Sequence, residues 1–176
     1  MLSIKNRGGL VVRALDVLIP RAANNDYYGG RVPLYFFLAL VGMTTFRSFV
    51  HFLREDSGVN SIASIVTFSG SPDPNHVVYM FSALWGSQQV IMVVLYFIVL
   101  VRFRNLIPLM WALMLLEVIF RMGVGALHPL TPDYYVRTPP GKLLNLPLLL
   151  LSLAMMVLAI RNSLRAIDAS VVPSQD

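Results

Sequence analysis

The groups in this 176-residue sequence that could do chemistry are ionisable and amide side chains set inside long apolar stretches. A charge in hydrocarbon is costly, so each such group calls for a named partner. The first stretch carries Thr44, Arg47, Ser48 and His51 at i, i+3, i+4, i+7, which is one face of a helix. The second carries Ser82, Trp85, Gly86 and Gln89 at the same spacing, with Gln88 adjacent. Glu117, Arg121, Gly125 and His128 form a stripe along the third, whereas the fourth holds only Asn145 and Ser152. At a helical rise of 1.5 Å per residue, Glu117 lies about 15 Å into its helix, near the bilayer midplane. Gln88 and Gln89 reach a similar depth, and Arg47 and Arg121 each lie about 9 Å from a helix end. Three stripes at matching depth predict a polar pocket between the first three helices, open toward the outer face, with the fourth facing lipid.

Charge decides what such a pocket would hold. Arg47 and Arg121 outnumber Glu117 within the spans, a net positive charge in low dielectric. An anion should answer it: Glu55, Asp56 or Asp73 folding back, a lipid phosphate, or a small anionic ligand. In that reading Arg47 and Arg121 hold the anion, Glu117 orients Arg121, Gln88 or Gln89 donates hydrogen bonds, and Trp85 forms an apolar wall. His51 shares the face of Arg47 and belongs to the same group. The same residues also suit packing between helices. Glu117 precedes Arg121 by four residues, the favoured order for an intrahelical pair. Ser82/Gly86 and Ala83/Ser87 are small-residue pairs of the kind that let membrane helices approach closely.

Other chemistries fail on the residues. The absence of cysteine removes disulfides, thiolate metal sites and thiol catalysis. His51, His76 and His128 share no helix at metal-ligand spacing, so no metal site and no cofactor is expected. There is no GxSxG elbow and no P-loop, and Gly123-x-Gly125 ends an apolar helix rather than opening one. The methionines read as packing filler.

The elements that must position these groups follow from composition. Hydrophobic residues make up 56% of the chain and charged residues 13%, about half the share usual in soluble domains. That excludes a soluble enzyme, a disordered tail and a nucleic-acid-binding domain. The net charge of +5 flanks apolar segments, which points to anionic lipid headgroups as partners. Crossing a bilayer takes about 20 helical residues. Four segments qualify, at about 33–53, 77–101, 107–127 and 143–160, giving an all-α, integral membrane bundle of four transmembrane helices. Pro33 and Pro108 fall in first turns, where proline is tolerated. Pro147 lies deeper and predicts a kink or a later start. Tyr35 and Trp111 are placed near membrane interfaces. Residues 1–32 form a basic tail in which Leu10, Val11, Ala14, Leu15, Leu18 and Ile19 recur at helical spacing among Lys5, Arg7, Arg13 and Arg21, the pattern of a helix lying on a membrane surface. Residues 161–176 form a second tail. Lys5, Arg7, Arg13, Arg21, Arg31, Arg102, Arg104, Arg161 and Arg165 lie in the tails and the second loop. Only Arg54, Arg137 and Lys142 lie in the other loops, which predicts that both termini are cytoplasmic.

From Met80 to Leu127 an apolar helix containing Gly86 leads through Arg102-Phe103-Arg104 into a second apolar helix ending in Arg121-Met122-Gly123. This stretch resembles small four-helix bacterial membrane proteins of the DoxX-like kind. The resemblance implies four helices and a bacterial inner membrane, and carries no catalytic residue across. The long loop from Glu55 to His76 has no counterpart in it.

The expected function is non-enzymatic binding of a lipophilic or amphipathic anionic ligand, lipid included, by Arg47, His51, Trp85, Gln88, Gln89, Glu117 and Arg121. One alternative is an accessory subunit, or a homo-oligomer, whose polar stripes face partner helices. Another is a membrane enzyme using Glu117 and His51 on a lipid-like substrate.

Overall fold

A computed structural model describes residues 9–170. Its elements are α1 (Leu10–Leu18), α2 (Arg31–Leu53), α3 (Asn75–Arg102), α4 (Ile107–Leu127) and α5 (Pro140–Ala169). Short 3-10 turns lie at Arg104–Leu106 and Pro132–Tyr134. No β-strand occurs among the described residues, only an isolated antiparallel bridge between Ile65 and Tyr135. Four helices, α2 to α5, are long and apolar enough to cross a membrane, α4 together with its leading turn. Their outward residues include Phe46, Phe81, Phe120 and Leu143, all exposed. Exposed rings at this density suit a lipid environment and not water. The architecture is that of an integral membrane protein.

The long helices occupy segments close to those expected to span, and three details stand out. First, α5 begins at Pro140 and passes through Pro147. A proline at the first helical position costs no backbone bond, and a mid-helix proline is tolerated in membrane helices. Second, α5 continues to Ala169, so most of the expected C-terminal tail is helix; Asn162, Ser163 and Asp168 hold it to the rest of its unit. Third, Trp111 faces the protein core near the start of α4. It is fully buried, and its indole N–H donates to the Pro33 carbonyl at 3.3 Å. The predicted N-terminal helix forms as α1; Lys5 and Arg7 lie outside the described residues.

The helices divide between two compact units. The first takes the described residues of Met1–Ala39, Tyr96–Leu116 and Leu150–Asp176; the second takes Leu40–Leu95 and Glu117–Leu149. The core of the first unit is aromatic. Phe37 meets Tyr96 and Trp111 edge to face, with centroids 5.4 and 5.9 Å apart, a geometry worth about 0.5–1.5 kcal/mol per pair beyond burial. Asn105 ties down the preceding segment, donating to the Ala22 carbonyl at 2.8 Å and accepting the Asn24 N–H at 2.9 Å. Asn162 donates to the Gly29 carbonyl at 2.9 Å, and a Cβ on Gly30 (φ +89°) would meet its amide nitrogen at 2.5 Å.

In the second unit, the α2–α3 loop folds on its own polar groups. Asp56 accepts the amides of Gly58 and Ser61 at 3.1 and 2.7 Å, and Asn75 exchanges hydrogen bonds with the backbone of Phe68. Tyr79 donates its hydroxyl to the Asn60 side chain. The loop is joined to the segment after α4 by Val66 N–H to Tyr134 and Val136 N–H to Ser64.

Net charge is uneven between the units. Among described residues the first has Arg13, Arg21, Arg31, Arg102, Arg104, Arg161 and Arg165 against Asp16, Asp26 and Asp168. The second is balanced, with Arg47, Arg54, Arg121, Arg137 and Lys142 against Glu55, Asp56, Asp73, Glu117 and Asp133.

Candidate functional site

All seven candidate residues belong to the second unit, on the α2, α3 and α4 segments. What brings α2 and α3 together there is Gly86. A Cβ at this position would lie 2.7 Å from the Phe52 backbone nitrogen and 2.8 Å from His51 Cβ. Only glycine allows this approach, as the small-residue spacing in α3 suggests.

Next to that contact sits His51, buried to within 6%. Its Nδ1 is 2.7 Å from the Ser57 carbonyl oxygen, which also receives the Ser82 hydroxyl at 2.9 Å. A carbonyl can only accept, so Nδ1 carries the proton in this arrangement. The turn that presents this carbonyl uses left-handed backbone at Ser57 (φ 47°) and Gly58 (φ 71°). The imidazole therefore knots the α2–α3 loop to both helices, a role that residue spacing did not reveal. Ser82 and His51 stood on separate helical stripes in the sequence, and neither their pairing nor their shared acceptor was legible there.

The indole of Trp85 packs edge to face on His51 with centroids 4.9 Å apart. Over its ring lies the Arg47 guanidinium, 5.4 Å from the centroid. Such a cation–π contact is worth about 0.5–2 kcal/mol, more when water is excluded. Trp85 remains 41% exposed. It is thus a platform for Arg47.

The two glutamines part company. Gln89 is buried at 8% and its side-chain oxygen lies 3.4 Å from the Ser48 hydroxyl, which donates its stronger bond to the Thr44 carbonyl at 2.6 Å. Gln88 is exposed and does not join them. On α4, Arg121 donates to Glu117 at 2.9 Å, the intrahelical pair that the spacing predicts. The guanidinium side chain is 21% exposed and the carboxylate 37%.

Of the acidic loop residues that were candidate counter-charges, Asp56 and Asp73 have partners within the loop segment. Asp56 is 3.3 Å from Arg54, and Asp73 accepts the Asn75 amide at 2.9 Å and lies 3.9 Å from His76. Burial pushes the Asp56 carboxyl up, but hydrogen bonds from Ser61 and the Gly58 amide, with the Arg54 charge, outweigh it and hold the group below its ordinary value. For Asp73 the Asn75 hydrogen bonds act in the same direction. An open cleft of about 360 Å³ is lined by Arg54, Glu55, Asp56 and Tyr79, and by none of the seven candidates. Comparison with protein-family models, curated proteins and solved structures finds no match to this chain.

Proposed function

We propose that this integral membrane protein binds a lipophilic or amphipathic anionic ligand, a phospholipid included, through Arg47 and Arg121. The observation that carries the reading is a pair of half-buried arginines within apolar spans, one laid on an exposed indole and one braced by Glu117. An indole face with a cation above it suits an acyl chain beside an anionic headgroup. Glu117 pairs with Arg121 at 2.9 Å and fixes its orientation. Gln89 and Ser48 line the buried side of the same segments, and His51 serves by fixing the loop and the Trp85 ring.

In this reading both termini are cytoplasmic. The support is the excess of arginine in the first unit against the balanced second, since positive flanks stay on the cytoplasmic side. The DoxX-like resemblance of Met80 to Leu127 favours a bacterial inner membrane.

Thermal unfolding in a zwitterionic detergent, with phosphatidylglycerol or phosphatidylcholine titrated in, tests the binding. Phosphatidylglycerol should raise the midpoint of the wild type and raise it much less in Arg47→Gln and Arg121→Gln. Equal shifts with both lipids in all three proteins would overturn the reading.

A second reading, an accessory subunit of a larger membrane complex, is favoured by the partly exposed Glu117 carboxylate. A carboxylate facing lipid within a span is costly, and a partner helix supplying a donor would relieve it. Glu117→Gln would then release a co-purifying protein, whereas in the ligand reading it would loosen Arg121 and lower lipid affinity with no change in protein composition.

A further inference from the structure

α1 buries only Val17 and leaves most of its large aliphatic side chains exposed. Arg13 and Val17, four residues apart, turn toward the first unit, where Arg13 bonds Asp168 near the end of α5 at 2.5 Å and Val17 is buried. The opposite side carries Val11, Val12 and Leu15, with Ile19 just beyond, all exposed; Val11 is 73% and Leu15 51% exposed. Water would penalise such a face in proportion to its exposed apolar area.

We infer that α1 lies in the surface of the bilayer, with Val11, Leu15 and Ile19 dipped among the acyl chains of an anionic leaflet. Two observations choose this occupant over a protein. The tether is Asp168, two turns beyond Arg161, which closes the apolar run of α5, so α1 is held where a spanning helix leaves the hydrocarbon. The unit that carries it has seven arginines against three aspartates among its described residues. Arginines near a membrane surface draw anionic headgroups, and an apolar helical face inserts at the headgroup–acyl boundary. Arg13 keeps the helix in register by holding its inner face to α5. The inference needs only the spanning helices and is independent of the ligand reading.

The chain has no cysteine, so single labels are clean. Nitroxides at Val11→Cys, Leu15→Cys and Arg21→Cys, in full-length protein in nanodiscs of mixed phosphatidylglycerol and phosphatidylcholine, report access to oxygen and to a water-soluble nickel chelate. Val11 and Leu15 labels should be several-fold more accessible to oxygen than to nickel, and Arg21 the reverse. In pure phosphatidylcholine, nickel access at Val11 and Leu15 should rise several-fold. Asp168→Asn should raise it at Leu15 even in the anionic bilayer. Labels at Val11 and Leu15 as open to nickel as Arg21 would overturn the inference, as would labels closed to both reagents, which would mean that protein covers α1. Indifference to lipid charge would overturn the choice of an anionic leaflet, and indifference to Asp168→Asn the tether.

Discussion

At the level of single residues, the Ser57 carbonyl accepts from two side chains on two different helices, His51 and Ser82. Replacing His51 by alanine removes one donor and a buried ring from the Trp85 contact. We expect a loss of about 2–4 kcal/mol in unfolding free energy, combining a buried hydrogen bond with aromatic packing; denaturant or thermal unfolding in detergent measures it. Asp56 gives a pH dependence with a definite sign. Its carboxyl sits below the ordinary value of 3.8 in the folded chain. Its stabilisation is therefore complete above that value and is lost as pH falls through the lower, folded one. Amide exchange at Gly58 and Ser61 should accelerate only in that acid range, and Asp56→Asn should abolish the pH dependence. The chemistry-bearing residues themselves were legible in the sequence, because charges and amides stand out in apolar runs. Their pairings were less so. Arg121 with Glu117 follows from helical spacing, but Arg47 over Trp85 depends on the register between two helices, and the His51 knot depends on left-handed backbone at Ser57 and Gly58.

At the level of elements, Gly86 sets how closely α2 and α3 approach. Gly86→Ala places a Cβ within 2.8 Å of α2 backbone and should destabilise by about 1–3 kcal/mol, since backbone cannot yield as a flexible side chain would. Gly123→Ala is the control. Nothing lies within 4 Å of its Cβ position, and the gain in helix propensity should stabilise by up to about 1 kcal/mol. Comparing the two unfolding free energies separates packing from propensity. The four spans were legible because apolar length alone reports them. The ends of α5 were not. Pro147 reads as a breaker, yet Pro140 starts the helix, and the polar residues after Ile160 continue it because Asn162 and Asp168 bond to distant segments. The contact of Trp111 was also hidden: composition cannot reveal that its N–H finds the Pro33 carbonyl inside the core.

For the whole molecule, charge and ligand are the two properties that remain to be measured on intact protein. The arginine excess of the first unit predicts that tags at both termini report the same cytoplasmic side in a reporter-fusion assay. Substituting Arg102, Arg104, Arg161 and Arg165 together by glutamine should yield mixed topology. Composition made the membrane legible at once, and the net positive charge of the spans made an anion the natural occupant. The identity of that occupant lies outside any sequence pattern, because Arg47 and Arg121 specify charge and not a headgroup. Native mass spectrometry of the protein, gently extracted from its own membrane, identifies it directly. Wild-type protein should retain a reproducible anionic lipid or lipid-like mass that is lost in the Arg47→Ala, Arg121→Ala double variant. Protein that arrives bare, or with other subunits attached and no small molecule, would contradict the proposal and assign these arginines to assembly.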